Sequence, residues 1–264
     1  MRVKSSNPVL GRIGAAAQQP AYSVPGGPAV DYDYQGSPVQ VGTRDVMTID
    51  DVVVKTVTLL GAAVVSAAAT WMLVPDTAIY PTWIAAMLVG LVLGLIISFA
   101  QVTNPVVLIG YALVEGVFLG AVSKVYESRW EGIVLQAVIG TLGVFLLMSI
   151  LYKSRIIRAT PTFMKVVIAL AGGLGIIMLV NFLIYTFTGN ITPLRDGSPI
   201  AIGFSVICIT VAALMLVVSF KQIEDGVHAG LPRKYGWLGA FGILVELVWL
   251  YLEILRLISY FSED

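Results

Sequence analysis

The sequence predicts an all-α polytopic membrane protein, a seven-transmembrane-helix bundle, behind an N-terminal tail. Of its 264 residues, 58% are hydrophobic and only 12% charged, and the mean hydropathy is +0.89. A soluble domain carries about 25% charged residues. From residue 52 onward the apolar residues fall into seven runs, each near the ~20 residues that cross a hydrocarbon core of about 30 Å. Pro75, Pro81, Pro105, Pro161, Pro193, Pro199 and Pro232 lie between these runs or at their ends, where proline starts or stops a helix. Backbone polar groups cannot be left bare in lipid, so the runs must be helices.

Residues 1–45, rich in Pro, Gly, Ala, Gln and Ser ("AAAQQPAYSVPGGPAV"), have no hydrophobic period and read as a disordered tail. No apolar stretch follows Arg2 and Lys4, so a cleaved signal peptide is not expected. Residues 46–264 form the membrane domain, opening with "MTIDDVVVKT", where Thr48 and Asp51 make a variant capping box. The spans run at about 52–74, 81–100, 105–125, 132–152, 163–187, 199–220 and 237–260. Gly90 and Gly94, Gly116 and Gly120, and the "AGGLG" of 171–175 supply small residues that let helix backbones approach in lipid. Trp71, Trp83, Trp130 and Trp237 lie near span ends, as interfacial anchors do.

Basic residues set the orientation. Arg2, Lys4, Arg12, Arg44 and Lys55, then Lys153, Arg155, Arg158 and Lys165, then Lys221, Arg233 and Lys234 fall on one side. The other side holds Lys124, Arg129, Arg195 and Arg256. The N-terminus is therefore expected in the cytoplasm of a plasma (bacterial inner) membrane, and the C-terminus outside.

Lys plus Arg equals Asp plus Glu at 16 each, so no basic surface points to nucleic acid. Cys208 and His228 are the sole Cys and His, which leaves no thiolate cage, no disulfide within the chain and almost no zinc ligands. No nucleotide-binding loop, dinucleotide glycine fingerprint, nucleophile elbow or EF-hand loop occurs. Neither an enzyme nor a cofactor is expected.

Ionisable residues inside spans cost about 2.5–3.5 kcal/mol each to insert, so they face the bundle interior or a wet cavity. Glu115 lies ten residues into the third span. Glu246 and Glu253 are seven apart on one face of the last helix. Arg256, three past Glu253, is placed to form a local ion pair with it. Glu246 has no such partner within its own helix, which makes it the stronger functional candidate. Gln136 and Asn181 read as interhelical hydrogen-bonding groups, and His228 as a solvated residue of the loop "EDGVHAGLPRK", with an unperturbed pKa of about 6.5.

The segments "SSNPVLGR", "MTIDDVVVKT", "EGVFLGAVSKVYE", "GIVLQAVIGT", "RATPTF" and "WLYLEILRLI" together resemble the Bax inhibitor-like membrane proteins (the transmembrane Bax inhibitor motif family), in their actinobacterial-type branch. The resemblance implies seven helices with the last central, and a pH-sensitive calcium leak associated with stress responses. It further implies gating by two acids that share a proton and close the cytoplasmic side. One acid belongs to the last helix; it falls on Glu246, or on Glu253 in a shifted register. Glu115 matches the family's acid before glycine. The other acid should follow an aromatic at the end of the sixth span, but Lys221 follows Phe220 here. A lysine facing Glu246 would hold it in an ion pair, and Lys221→Asp would then restore acid-sensitive flux.

Two functions follow. The first is a calcium (cation) leak channel or exchanger in which Glu115 and Glu246 weakly bind the ion, carboxylate oxygen being what hard cations prefer; Lys221, Glu253 and Arg256 belong to its gating. The second is a stress-regulating protein that transports nothing and binds a membrane protease.

Overall fold

A computed structural model describes residues 46–189 and 192–262; the N-terminal tail of the sequence reading lies outside them. Among the described residues, seven helices are long and apolar enough to cross a membrane. They are α1 (Ile49–Leu73), α2 (Ile79–Ala100), α3 (Pro105–Glu127), α4 (Ile133–Lys153), α5 (Pro161–Thr188), α6 (Pro199–His228) and α7 (Gly236–Phe261). The bounds agree with the expected spans to within three residues, except at one end of α6.

Local chemistry sets the helix starts. The Thr48 hydroxyl accepts from the Asp51 N–H, and Asp50 and Asp51 place negative charge in the first turn of α1, as the helix dipole favours. Asn104, Thr160 and Ser198 cap α3, α5 and α6, each followed by proline in the first helical turn. α4 lacks a capping side chain of its own. Glu127 substitutes, accepting from the Gly132 and Val134 N–H groups at 2.7 and 3.0 Å.

α6 runs two turns beyond its expected end at residue 220. Lys221 pairs with Asp225 at 2.6 Å, Glu224 faces His228, and the Tyr152 hydroxyl donates to Glu224. These pairs, spaced four apart, carry the helix past the apolar zone. His228 is therefore the last helical residue of α6 and not part of a loop.

α7 is the central helix. It packs on α6, α1, α4 and α3, and 67% of its most apolar window is buried, against 17% for α2 and α5. Its apolar residues fill two cores. Ala240, Leu244 and Val248 meet Leu59, Leu108 and Ala112; Leu247, Leu250 and Leu255 meet Ala137, Ala212 and Leu216.

The closest helix pair is α1 with α3. A Cβ on Gly116 would stand 2.7 Å from Ser66 Cβ, and one on Gly120 2.9 Å from Ala67 Cα. Gly90 and Gly94 likewise leave room for Glu115 and Tyr111. Gly172, Gly173 and Gly175 meet nothing within 4 Å, so these glycines do not serve the helix packing expected of them; α5 packs chiefly against α6, with Ala171 and Leu174 beside Cys208 and Val211. Besides helices, the described residues contain one isolated bridge, Val46 with Pro232, flanked by a Met47 N–H to Leu231 carbonyl bond of 2.8 Å.

Candidate functional site: buried carboxylates on the central helix

α7 turns one polar stripe toward α6. Glu246 is ten residues from the start of the helix, about 15 Å along its axis, and only 5% exposed. Its Oε1 accepts from the Ser219 hydroxyl at 2.6 Å, whereas its Oε2 is buried with no hydrogen-bond partner. Such an unpartnered buried oxygen is uncommon in a folded protein and calls for an explanation.

Directly above this pair is a cleft of about 390 Å³ at the end of the bundle where α7 begins. Met47, Ser98, Gln101, Gln222 and Tyr235 line its mouth and walls, and Ser219 and Gly242 its inner part. A Cβ on Gly242 would be 3.4 Å from the Ser219 hydroxyl. Its polar lining is neutral amide and hydroxyl, set among Ile223, Leu231, Leu238 and Phe241, and it includes Ser219, the partner of Glu246.

Glu253 is 2% exposed. Arg256 donates to its Oε1 at 2.7 Å, forming the expected local pair. Arg195, from the segment before α6, adds contacts of 3.2–3.4 Å to both carboxylate oxygens. Between the two acids, Trp249 packs on Leu174, Cys208 and Val211, and its buried indole N–H also lacks a partner.

Glu115 lies elsewhere. It is buried in α3 beside Tyr111, with its Oε1 against Gly90 of α2. The structure thus sets Glu115 at the α2–α3 seam and Glu246 at the α6–α7 seam. Lys221 pairs with Asp225, not with Glu246. Asn181 accepts from Thr192 at 2.7 Å, and Gln136 is exposed near the start of α4. No three of the Cys, His, Asp and Glu residues described gather as a metal cage.

A charge cluster flanks the cleft. Asp51 takes Arg233 Nε at 2.7 Å and also holds Lys55, whose ammonium donates to the Arg233 carbonyl at 2.6 Å. These bonds tie the start of α1 to the α6–α7 turn.

Sequence reasoning missed Ser219 and Arg195. The first is a small hydroxyl within an apolar run; the second was counted only as a loop charge.

Comparison with curated proteins returns no match. The family model described as Bax inhibitor 1 like matches residues 7–263. That span takes in every helix and both carboxylates of α7, so the chain belongs to the Bax inhibitor 1-like family of integral membrane proteins.

Proposed function

We propose that the chain is a cation leak, with calcium as its cargo, in which Glu246 is the ion-binding carboxylate reached through the cleft at the start of α7. The observation carrying this reading is Glu246 itself: a carboxyl at mid-bundle, buried, with one oxygen on Ser219 and the other without a protein partner. A carboxylate oxygen suits a hard cation, and a site with so few protein ligands binds weakly and leaves the ion partly hydrated. Weak binding is what conduction needs, since the ion must also leave. The cleft carries no charged lining residue, and Ser98, Gln101, Ser219, Gln222 and Tyr235 supply neutral oxygen and amide groups among its apolar walls.

The cleft opens on the side that gathers most of the basic residues, which orients it toward the cytoplasm. Glu246 takes the main role and Glu115 a secondary one, because the cleft lining includes Ser219 and not α3. A shared-proton pair of acids is not the basis of this reading: the hydrogen-bond partner of Glu246 is a serine, and the lysine at the family's other acidic position turns to Asp225.

The test is calcium entry into dye-loaded vesicles containing the full chain. Glu246→Gln keeps the shape and removes the charge, and should abolish entry. Equal entry in both proteins would overturn the reading. Absence of flux in the wild type, with a membrane protease co-purifying through residues 1–45, would support the regulatory role instead.

A further inference from the structure

Past Glu246, α7 continues for about four more turns to its far end, where a buried charge cluster lies against it. Glu253 lies about 10 Å farther along the same face, beneath two guanidinium groups. One carboxylate between two arginines leaves the cluster with a net charge of +1.

Arg256 alone would neutralise Glu253, and its spacing of three residues makes the pairing local. Arg195 is surplus to that balance, yet it is firmly held. Its N–H bonds to the Thr192 carbonyl at 2.9 Å, and Thr192 is tied to Asn181 of α5 at 2.7 Å. The Asp196 carboxylate accepts from the Ser198 N–H at 2.9 Å, and these Ser198 contacts keep Asp196 below its usual range. The guanidinium lies 5.4 Å over the Phe204 ring, and its side chain is only 17% exposed. A partly desolvated cation that the local ion pair does not require needs another explanation.

We propose that Arg195 is the gate and charge filter at the C-terminal end of α7, and that cations leave the path only when Arg195 moves off Glu253. The inference rests on the cation-leak reading and deepens it by naming where the path closes. A guanidinium fixed beside an ion path repels cations, as arginine does in other selective pores. Removing it leaves Glu253 paired with Arg256, so the cluster becomes neutral without stranding a buried charge.

Calcium entry is measured for the reconstituted full chain as wild type, Arg195→Gln, Arg195→Lys, Glu246→Gln and the Arg195→Gln/Glu246→Gln double variant. Arg195→Gln should speed entry by about tenfold or more, given the strength of a nearby unit charge at partial burial. Arg195→Lys keeps the charge and should stay within about twofold of wild type. The double variant should fall back to the Glu246→Gln rate. Wild-type entry in Arg195→Gln, with Glu246→Gln inactive, would overturn the gate and spare the path. Fast entry that survives in the double variant would overturn the gate as a nonspecific leak. Equal entry in wild type and Glu246→Gln would remove the path itself.

Discussion

Gly120→Ala should weaken the bundle, whereas Gly172→Ala should not, although both put the same methyl group into a glycine-rich helix. At Gly120 the new Cβ would stand 2.9 Å from Ala67 Cα and closer still to the Ala67 carbonyl oxygen. Carbon atoms pack best at about 3.5–4.0 Å, so α1 and α3 must part by roughly 0.6 Å or more. A gap of about that size forfeits a quarter or more of each dispersion contact across the seam. The parting also lengthens the Ser66 hydroxyl bond to the Leu113 carbonyl, now 2.7 Å. Overpacking of this kind costs about 1–3 kcal/mol, and the clash with backbone places it in the upper half of that range. Ala67→Gly cannot relieve it, because the obstruction is the Ala67 backbone. At Gly172 nothing lies within 4 Å, and alanine gains up to about 1 kcal/mol of helix propensity in water. That gain shrinks in a bilayer, where separated helices must stay helical. The assay is unfolding by titration with sodium dodecyl sulfate in mixed micelles, followed by tryptophan fluorescence. Wild-type stability in Gly120→Ala, or equal loss in both variants, would refute the packing argument.

Three further outcomes follow from the same geometry. Ser219→Cys, made with Cys208→Ala, should react with a membrane-impermeant thiol reagent from the face where α7 begins; labelling from the opposite face alone would contradict the cleft. Asp51→Ala leaves Lys55, only 7% exposed, without its carboxylate and should cost about 3–5 kcal/mol. Arg233→Ala removes a side chain that is 63% exposed and should cost no more than about 1 kcal/mol; the reverse ranking in the detergent titration would dismiss the cluster as a structural tie. Lys221→Asp sets a new acid beside Asp225 and should weaken the end of α6 by about 0.2–0.5 kcal/mol, leaving flux no more acid-sensitive. Flux that became acid-activated would show that residue 221 faces the path.

Most of the bundle was legible because lipid imposes a simple demand. Each segment must be apolar for about 20 residues and close its own backbone bonds, and Asn104, Thr160 and Ser198 mark where three of them begin. The end of α6 was misread because its last two turns leave the apolar zone and look like a loop. A signal was present in the spacing of Lys221 with Asp225 and of Glu224 with His228, each four apart. The "AGGLG" stretch was misread in the opposite sense. Small residues permit close packing, but only a partner helix makes use of it, and α5 presents its glycines to open space.

The site divides along the same line. Acids in apolar spans stand out because burying them is costly, so Glu115, Glu246 and Glu253 could be picked from sequence. Their partners could not, because a partner depends on how two helices register. Arg195 and Glu253 are 58 positions apart, with no period linking them. Yet α6 and α7 run antiparallel, so contacts along their seam advance on one helix as they retreat on the other. Ser205 lies beside Glu253, and moving back along α7 toward Gly242 moves forward along α6 to Ser219. On α6 the group that meets Glu246 is the Ser219 hydroxyl, two residues before Lys221, which stands at the family's other acidic position and turns to Asp225. A serine holds one carboxylate oxygen while the other is buried without a hydrogen-bond partner, so in the proposed leak ion binding and release turn on Glu246 rather than on a pair of acids.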